Sequence, residues 1–125
     1  MISFRELLVE KITRKQLSDL EKFADKILQK YDLDVEFTKH FFDRLNDSRN
    51  DPEIKISELQ KLFKKIEKHH GERLKEPGAQ LVIKDLQTDL NLPVVIKLKN
   101  GVFEIVTKTI MRKKNFKTSN KKVEY

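Results

Sequence analysis

The stretch VVIKLKNGVFEIVTKTIM, residues 94–111, decides how this chain folds. Asn100-Gly101 is the strongest short-range signal for a two-residue hairpin, because both residues tolerate the positive φ that a tight turn between strands requires. Apolar and β-branched runs flank it, from Val94 to Lys99 and from Val102 to Met111. Upstream, Ala79 to Leu86 reads as a further strand, set off by the loop holding Pro77 and Gly78. Before that loop the apolar residues recur at helical spacing. Helices first and strands after make an α+β pattern rather than alternating units around a parallel sheet. The expected fold is N-terminal helices packed on a small antiparallel sheet with a C-terminal β-hairpin.

The helices can be placed from their caps. Thr13-Arg-Lys-Gln16 has the form of a capping box, and Leu17, Leu20, Ala24, Ile27, Leu28 and Tyr31 follow on one face. A short helix before it would be capped by Ser3. Thr38 caps a helix whose apolar side is Phe37, Phe41, Phe42 and Leu45, and the turn formers from Asn46 to Asp51 end it before Pro52. Ser57-Glu-Leu-Gln60 reads as a second capping box, opening a helix with Leu59, Leu62, Phe63 and Ile66 inward and Gly71 as its stop. Three segments result: 1–34, an N-terminal helical segment; 35–114, the α+β core domain; and 115–125, a basic C-terminal tail.

Composition narrows the chemistry. Of 125 residues, 38% are hydrophobic and 38% charged, enough for one core with little apolar material to spare. The absence of Cys excludes disulfides and thiolate metal sites, and no apolar run reaches the length of a membrane span. Met1 to Glu10, interrupted by Arg5, Glu6 and Glu10, lacks the form of a secretory signal. The expectation is a soluble protein acting in the cytoplasm. Its net charge of +7 points to nucleic acid or another polyanion, and six bases with one acid lie between Arg112 and Tyr125. A solvated tail accounts for the same residues. Three widely separated glycines form no phosphate-cradling loop, so no nucleotide cofactor is expected.

His40 and Arg44 stand one turn apart on a polar helix side shared with Asp43 and Asp47. An imidazole above a guanidinium suits proton transfer beside a charged phosphorane-like transition state. Ordinary surface ion pairs explain the same spacing. Arg49, in the turn beyond, is a candidate phosphate contact or a cap for the helix end. On the last strand Lys108 and Arg112 share a face, which is open if Phe103 and Ile105 point to the core. Lys113, Lys114 and Lys117 in the tail extend that basic surface. His69 and His70 point to different faces without an evident third ligand, so no metal site is expected.

The His40-x-x-x-Arg44 helix, the Ile56-Ser-Glu-Leu helix and the strand Glu104-Ile-Val-Thr-Lys-Thr109 together resemble the small RelE-type, BrnT-type and RegB-type endoribonucleases across residues 35–114. That resemblance implies helices against a small antiparallel sheet and RNA cleavage without metal. It also implies His40 as general acid or base, Arg44 and Arg112 stabilising phosphate charge, and Lys108 positioning the backbone. Met1 to Glu10 is similar to segments that direct internal proteins into the heads of tailed phages, and Leu8-Val-Glu10 resembles the cleavage motif of their maturation protease, although Lys11 departs from the small residue that follows it. These likenesses imply a phage-encoded, RNA-binding and RNA-cleaving protein of the host cytoplasm. The alternative they carry is a non-enzymatic head-internal protein of the virion, touching nucleic acid through its tail and an assembly partner through its N-terminal helices.

Overall fold

The computed structural model describes residues 11–125. Three α-helices lie among them, α1 (Arg14–Leu28), α2 (Lys39–Leu45) and α3 (Ile56–Lys68), with six strands: β1 (Leu33–Phe37), β2 (Gln80–Lys84), β3 (Leu90–Lys99), β4 (Val102–Thr107), β5 (Met111–Arg112) and β6 (Lys121–Glu124). The architecture is α+β. The Ser3 cap and the Leu8–Glu10 motif fall in residues 1–10, outside the described part.

Local signals set most helix starts. Thr13 and Gln16 cap each other at 3.1 and 2.8 Å, and the four apolar positions Leu17, Leu20, Ala24 and Leu28 turn inward. Thr38 caps α2 through the Phe41 N–H at 3.1 Å. The start of α3 corrects the expectation. Its cap is Lys55, whose backbone N–H donates to Glu58 at 2.9 Å while its carbonyl, not its side chain, accepts the Glu58 N–H at 3.0 Å, so the helix starts two residues before the Ser57 and Gln60 pair would place it. At its end Gly71 has φ +58° and lies so close to Leu33 that a Cβ there would run into that side chain. Only glycine meets both demands.

The sheet runs β1-β4-β3-β2-β6, with β5 continuing β4 along β3. The hairpin at Asn100-Gly101 forms as read, with positive φ at both residues. The sheet is mixed rather than antiparallel, because β1 pairs parallel with β4 and β6 parallel with β2. Strand β1 was hidden in sequence by its shortness: Leu33, Val35 and Phe37 alternate over only five residues, next to helical patterning on both sides. The boundary drawn at residue 34 cuts through it. The second hairpin strand is also shorter than read, stopping at Thr107 before a bend that precedes β5.

The helices cover one face, burying Leu33, Val35, Leu81, Ile83, Leu92, Ile96 and Ile105 against Leu20, Ala24, Leu59, Phe63 and Ile66. Edge strand β1 is closed by α1 instead of another strand. Asp25 accepts the Val35 N–H at 2.7 Å and Glu21 that of Phe37 at 3.2 Å, which satisfies donors that would otherwise invite pairing with another chain. The basic tail returns to the sheet. After β5, residues 113–120 pass from the β4 side of β3 to the far side of β2, where β6 begins. Lys84, on the helix-free face opposite Asn91 in the register, donates to the carbonyls of Lys113 and Lys114 at 2.8 and 3.0 Å, so this strap lies on that face. Val82, on the same face, is only 1% exposed beneath it. The tail is thus part of the domain and not a solvated extension.

Candidate nucleic-acid interface

Two structures meet at the end of β4. Thr38, besides capping α2, donates its hydroxyl to the Thr107 carbonyl at 2.9 Å and lies 3.3 Å from that of Lys108, fixing the first turn of α2 beside the bend after β4. Phe41 and Leu45 are buried and Phe37 stacks on Phe41, so the opposite side of the short helix faces water. There Arg44 Nε donates to His40 Nε2 at 3.5 Å, at the long end of a hydrogen bond.

Asp47 organises the rest of this rim. It pairs with Arg44 at 3.2 Å and takes Nε and an Nη of Arg49, the latter at 3.0 Å, together with the Arg49 backbone N–H at 2.9 Å. Of the surface ion pairs foreseen for this helix, those of Asp47 are present and coexist with the His40–Arg44 contact, while Asp43 forms none among the described residues. Arg49 remains 66% exposed and Arg44 38% exposed, so both keep donors facing solvent. Among the described residues, Lys108 makes no ion pair and is exposed on the neighbouring bend.

Arg112 is placed differently from the expectation of an open basic face. Glu58 receives it at 2.7 and 3.0 Å, and the carbonyls of Pro52, Glu53 and Thr88 receive the remaining N–H groups at 2.8, 3.0 and 2.8 Å. All five guanidinium donors are engaged, and the side chain is 9% exposed. Burial pushes the Glu58 carboxyl up, but Arg112 and the Lys55 N–H outweigh it and hold it below the usual range. Arg112 touches the His40 rim only indirectly. Its backbone N–H donates to Asn50 Oδ1 at 3.1 Å, and Asn50 Nδ2 donates to the Arg44 carbonyl at 2.8 Å. The structure thus gathers Arg44 and Arg49 around Asp47 with His40 against Arg44, and ties the Lys108 bend to the Thr38 end of the same helix, with Arg112 behind as the clamp of the supporting loop.

From sequence Asp47 enters only as a surface ion-pair partner, and Asn50 and Glu58 have no place in the site. Asp47 carried a weak signal, standing three residues after Arg44 and two before Arg49. For Glu58 there was none, because its partner lies 54 residues away.

Between Lys108 and Lys122 there are seven bases and no acid, and the remaining 20 bases and 20 acids balance. The whole net charge therefore belongs to the bend, β5, the strap and the start of β6. Lys113, Lys114 and Lys117 are exposed, and none forms an ion pair among the described residues. The two strap carbonyls are drawn inward by buried Lys84, which helps turn the lysine side chains out. His70 stacks on Tyr31 and His69 lies against Tyr125, and no cluster of metal-ligating side chains occurs among the described residues. None of their helices is long and apolar enough to cross a membrane. Comparison of the chain with family models, curated proteins and solved structures gives no match.

Proposed function

We propose that this protein binds RNA on the surface running from the α2 rim to the strap, and cleaves it at His40 without a metal. The observation that carries this reading is the joining of α2 to the bend after β4, which sets an imidazole and two partly exposed guanidiniums next to the segment holding the entire net charge. In the reaction Arg44 turns from His40 Nε2 to the phosphate, the 2′-hydroxyl attacks the adjacent phosphorus as its proton passes to the freed Nε2, and the 5′-oxygen leaves with a proton returned by the imidazolium or by water. The new bond is 2′-O–P and the broken one P–O5′. Arg44 and Arg49 neutralise the phosphate as charge grows on its oxygens. Lys108 and the strap lysines hold the flanking backbone and make binding strongly salt-dependent.

The test is incubation with mixed RNA in EDTA beside a His40→Ala control. Cleavage by the wild type and its loss in the variant, with binding intact, is the expected result. A specific observation favours a second reading of binding alone: Arg112, assigned by the resemblance to the phosphate, has no donor left for it. Salt-sensitive RNA binding with no cleavage by either protein would establish that reading. A phage origin and a place in the virion rest on residues 1–10 and on resemblance. Particle incorporation with and without those residues tests them.

A further inference from the structure

Beside the strap lies a cleft of about 530 Å³, bounded by the Asp51-Pro52 loop, the first turns of α3, the turn between β2 and β3, and Lys113-Lys114. Resting on the RNA-binding reading above, we propose that this cleft receives one unpaired, amino-bearing base of the bound strand. Three features of the cleft converge on that ligand. Lys113 and Lys114 stand at its rim, where a phosphate flanking an inserted base would lie. Arg112 forms part of its wall, and since every in-plane donor is already bonded, the surface it can offer the cleft is the flat guanidinium face. Guanidinium planes are stacking surfaces for splayed RNA bases. The third feature is the presence of carboxylates with accepting capacity to spare, together with the exposed Lys61, whose ammonium can only donate and suits the O2 carbonyl that cytosine carries as well.

Those carboxylates belong to Asp51 and Asp89. Asp51 makes no ion pair among the described residues and is exposed, while Asp89 has only the 3.6 Å contact with Lys84 and is 39% exposed. The other acids of the cleft are engaged: Glu58 by Arg112, and Asp85 by Lys65 at 2.8 Å and the Gln87 N–H at 3.0 Å. An ionised carboxylate only accepts hydrogen bonds. It therefore prefers a base edge carrying an amino group to that of uracil, whose single N–H lies between two carbonyls. Cytosine and uracil are of nearly the same size and differ on this edge alone, where cytosine has an amino group beside a bare ring nitrogen and uracil a carbonyl beside an N–H.

The experiment uses the full chain with His40→Ala, so that RNA survives, and fluorescein-labelled decamers of cytidine or uridine read by anisotropy at low salt. The cytidine decamer is expected to bind about tenfold more tightly. In Asp51→Asn and Asp89→Asn, singly or together, that ratio should fall toward one while uridine affinity stays the same or rises, because an acid has been removed from a basic surface. Asn suits the Asp89 backbone, whose φ is +61°, but Asp89 also faces buried Lys84 at 3.6 Å, so its variant is read where denaturant titration shows it folded, and Asp51→Asn, which breaks no ion pair among the described residues, carries the test by itself if it is not. Lys113→Gln with Lys114→Gln should weaken both decamers equally. Equal binding of the two decamers by the parent protein would overturn the base slot and leave RNA binding standing. If neither decamer binds, the RNA reading falls and the slot with it.

Discussion

Two arginine clusters flank the loop between α2 and α3, and solvent makes them unlike. On one side Asp47 pairs with Arg44 and Arg49 at 3.2 and 3.0 Å, with both guanidiniums open to water. On the other Arg112 is 9% exposed, with Glu58 and three carbonyls around it. Water screens the first cluster, so its ion pairs are weak and its donors can be exchanged for a phosphate. Around the second, any lost partner leaves a buried charge without compensation. Solvent-exposed donors and fully engaged ones are thus built from one residue type on opposite sides of one loop.

The largest test of this contrast is Arg112→Ala. It strands Glu58 and unties Pro52, Glu53 and Thr88, so it should cost about 3–5 kcal/mol of unfolding free energy, the usual cost of breaking a buried pair. Denaturant titration measures it, and a loss near that of a surface pair would break the comparison. Arg112→Lys should not restore the wild-type value, since an ammonium has three donors where five are in use. Asn50→Ala comes next. Asn50 is 5% exposed and joins the two clusters through the Arg112 N–H and the Arg44 carbonyl, so its loss should cost about 1–3 kcal/mol. If the rim depends on this link, the variant also loses affinity for RNA under conditions where it is fully folded.

The same contrast explains what could be read from sequence. Signals contained within a few residues were legible: the Thr13–Gln16 box, the Thr38 cap, the stop at Gly71 and the Asn100-Gly101 hairpin. The α+β class followed from their order along the chain. Features made by distant partners were not legible. Parallel pairing of β1 with β4 joins residues about 70 apart, and nothing in the Leu33–Phe37 segment announces it. The tail reads as solvated because its lysines are, yet its backbone is held by Lys84 and Asn91 from another part of the sheet. For the site, the α2 residues could be grouped by helical spacing. Arg112 could not be separated from them, because strand alternation gives no account of the bend between Thr107 and Met111.

A smaller effect separates the regions by pH. On the helix-free face Asp34 and Glu104 are neighbours in the register, beside Glu36, and burial raises both carboxyls above their ordinary range, helped by the charge of Glu36 at Asp34 and by a hydrogen bond with Glu36 and then its charge at Glu104. A raised carboxyl adds stability that is present below its unfolded pKa and lost as pH rises through the folded one. Glu58, lowered by Arg112, acts in the opposite sense, with stability present above its unfolded pKa and lost as pH falls through the folded one. Asp34→Asn and Glu104→Gln should therefore raise Tm at pH 7 more than at pH 4. Glu58→Gln should lower it more at pH 7 than in acid. The first pair of changes is modest, because both groups remain partly in water.

Arg49→Ala should leave stability least affected, by no more than about 0.5 kcal/mol, because its ion pair is exposed and Asp47 keeps Arg44 as partner. Its consequence belongs to binding. A guanidinium that touches phosphate contributes to the salt dependence of affinity, so the slope of log K against log salt should fall by roughly one in this variant. The same slope should be unaltered in Arg112→Lys at temperatures where that protein is folded, since Arg112 has no donor facing the ligand. Equal losses of slope in the two variants would erase the distinction between rim and clamp and return Arg112 to the phosphate-binding surface.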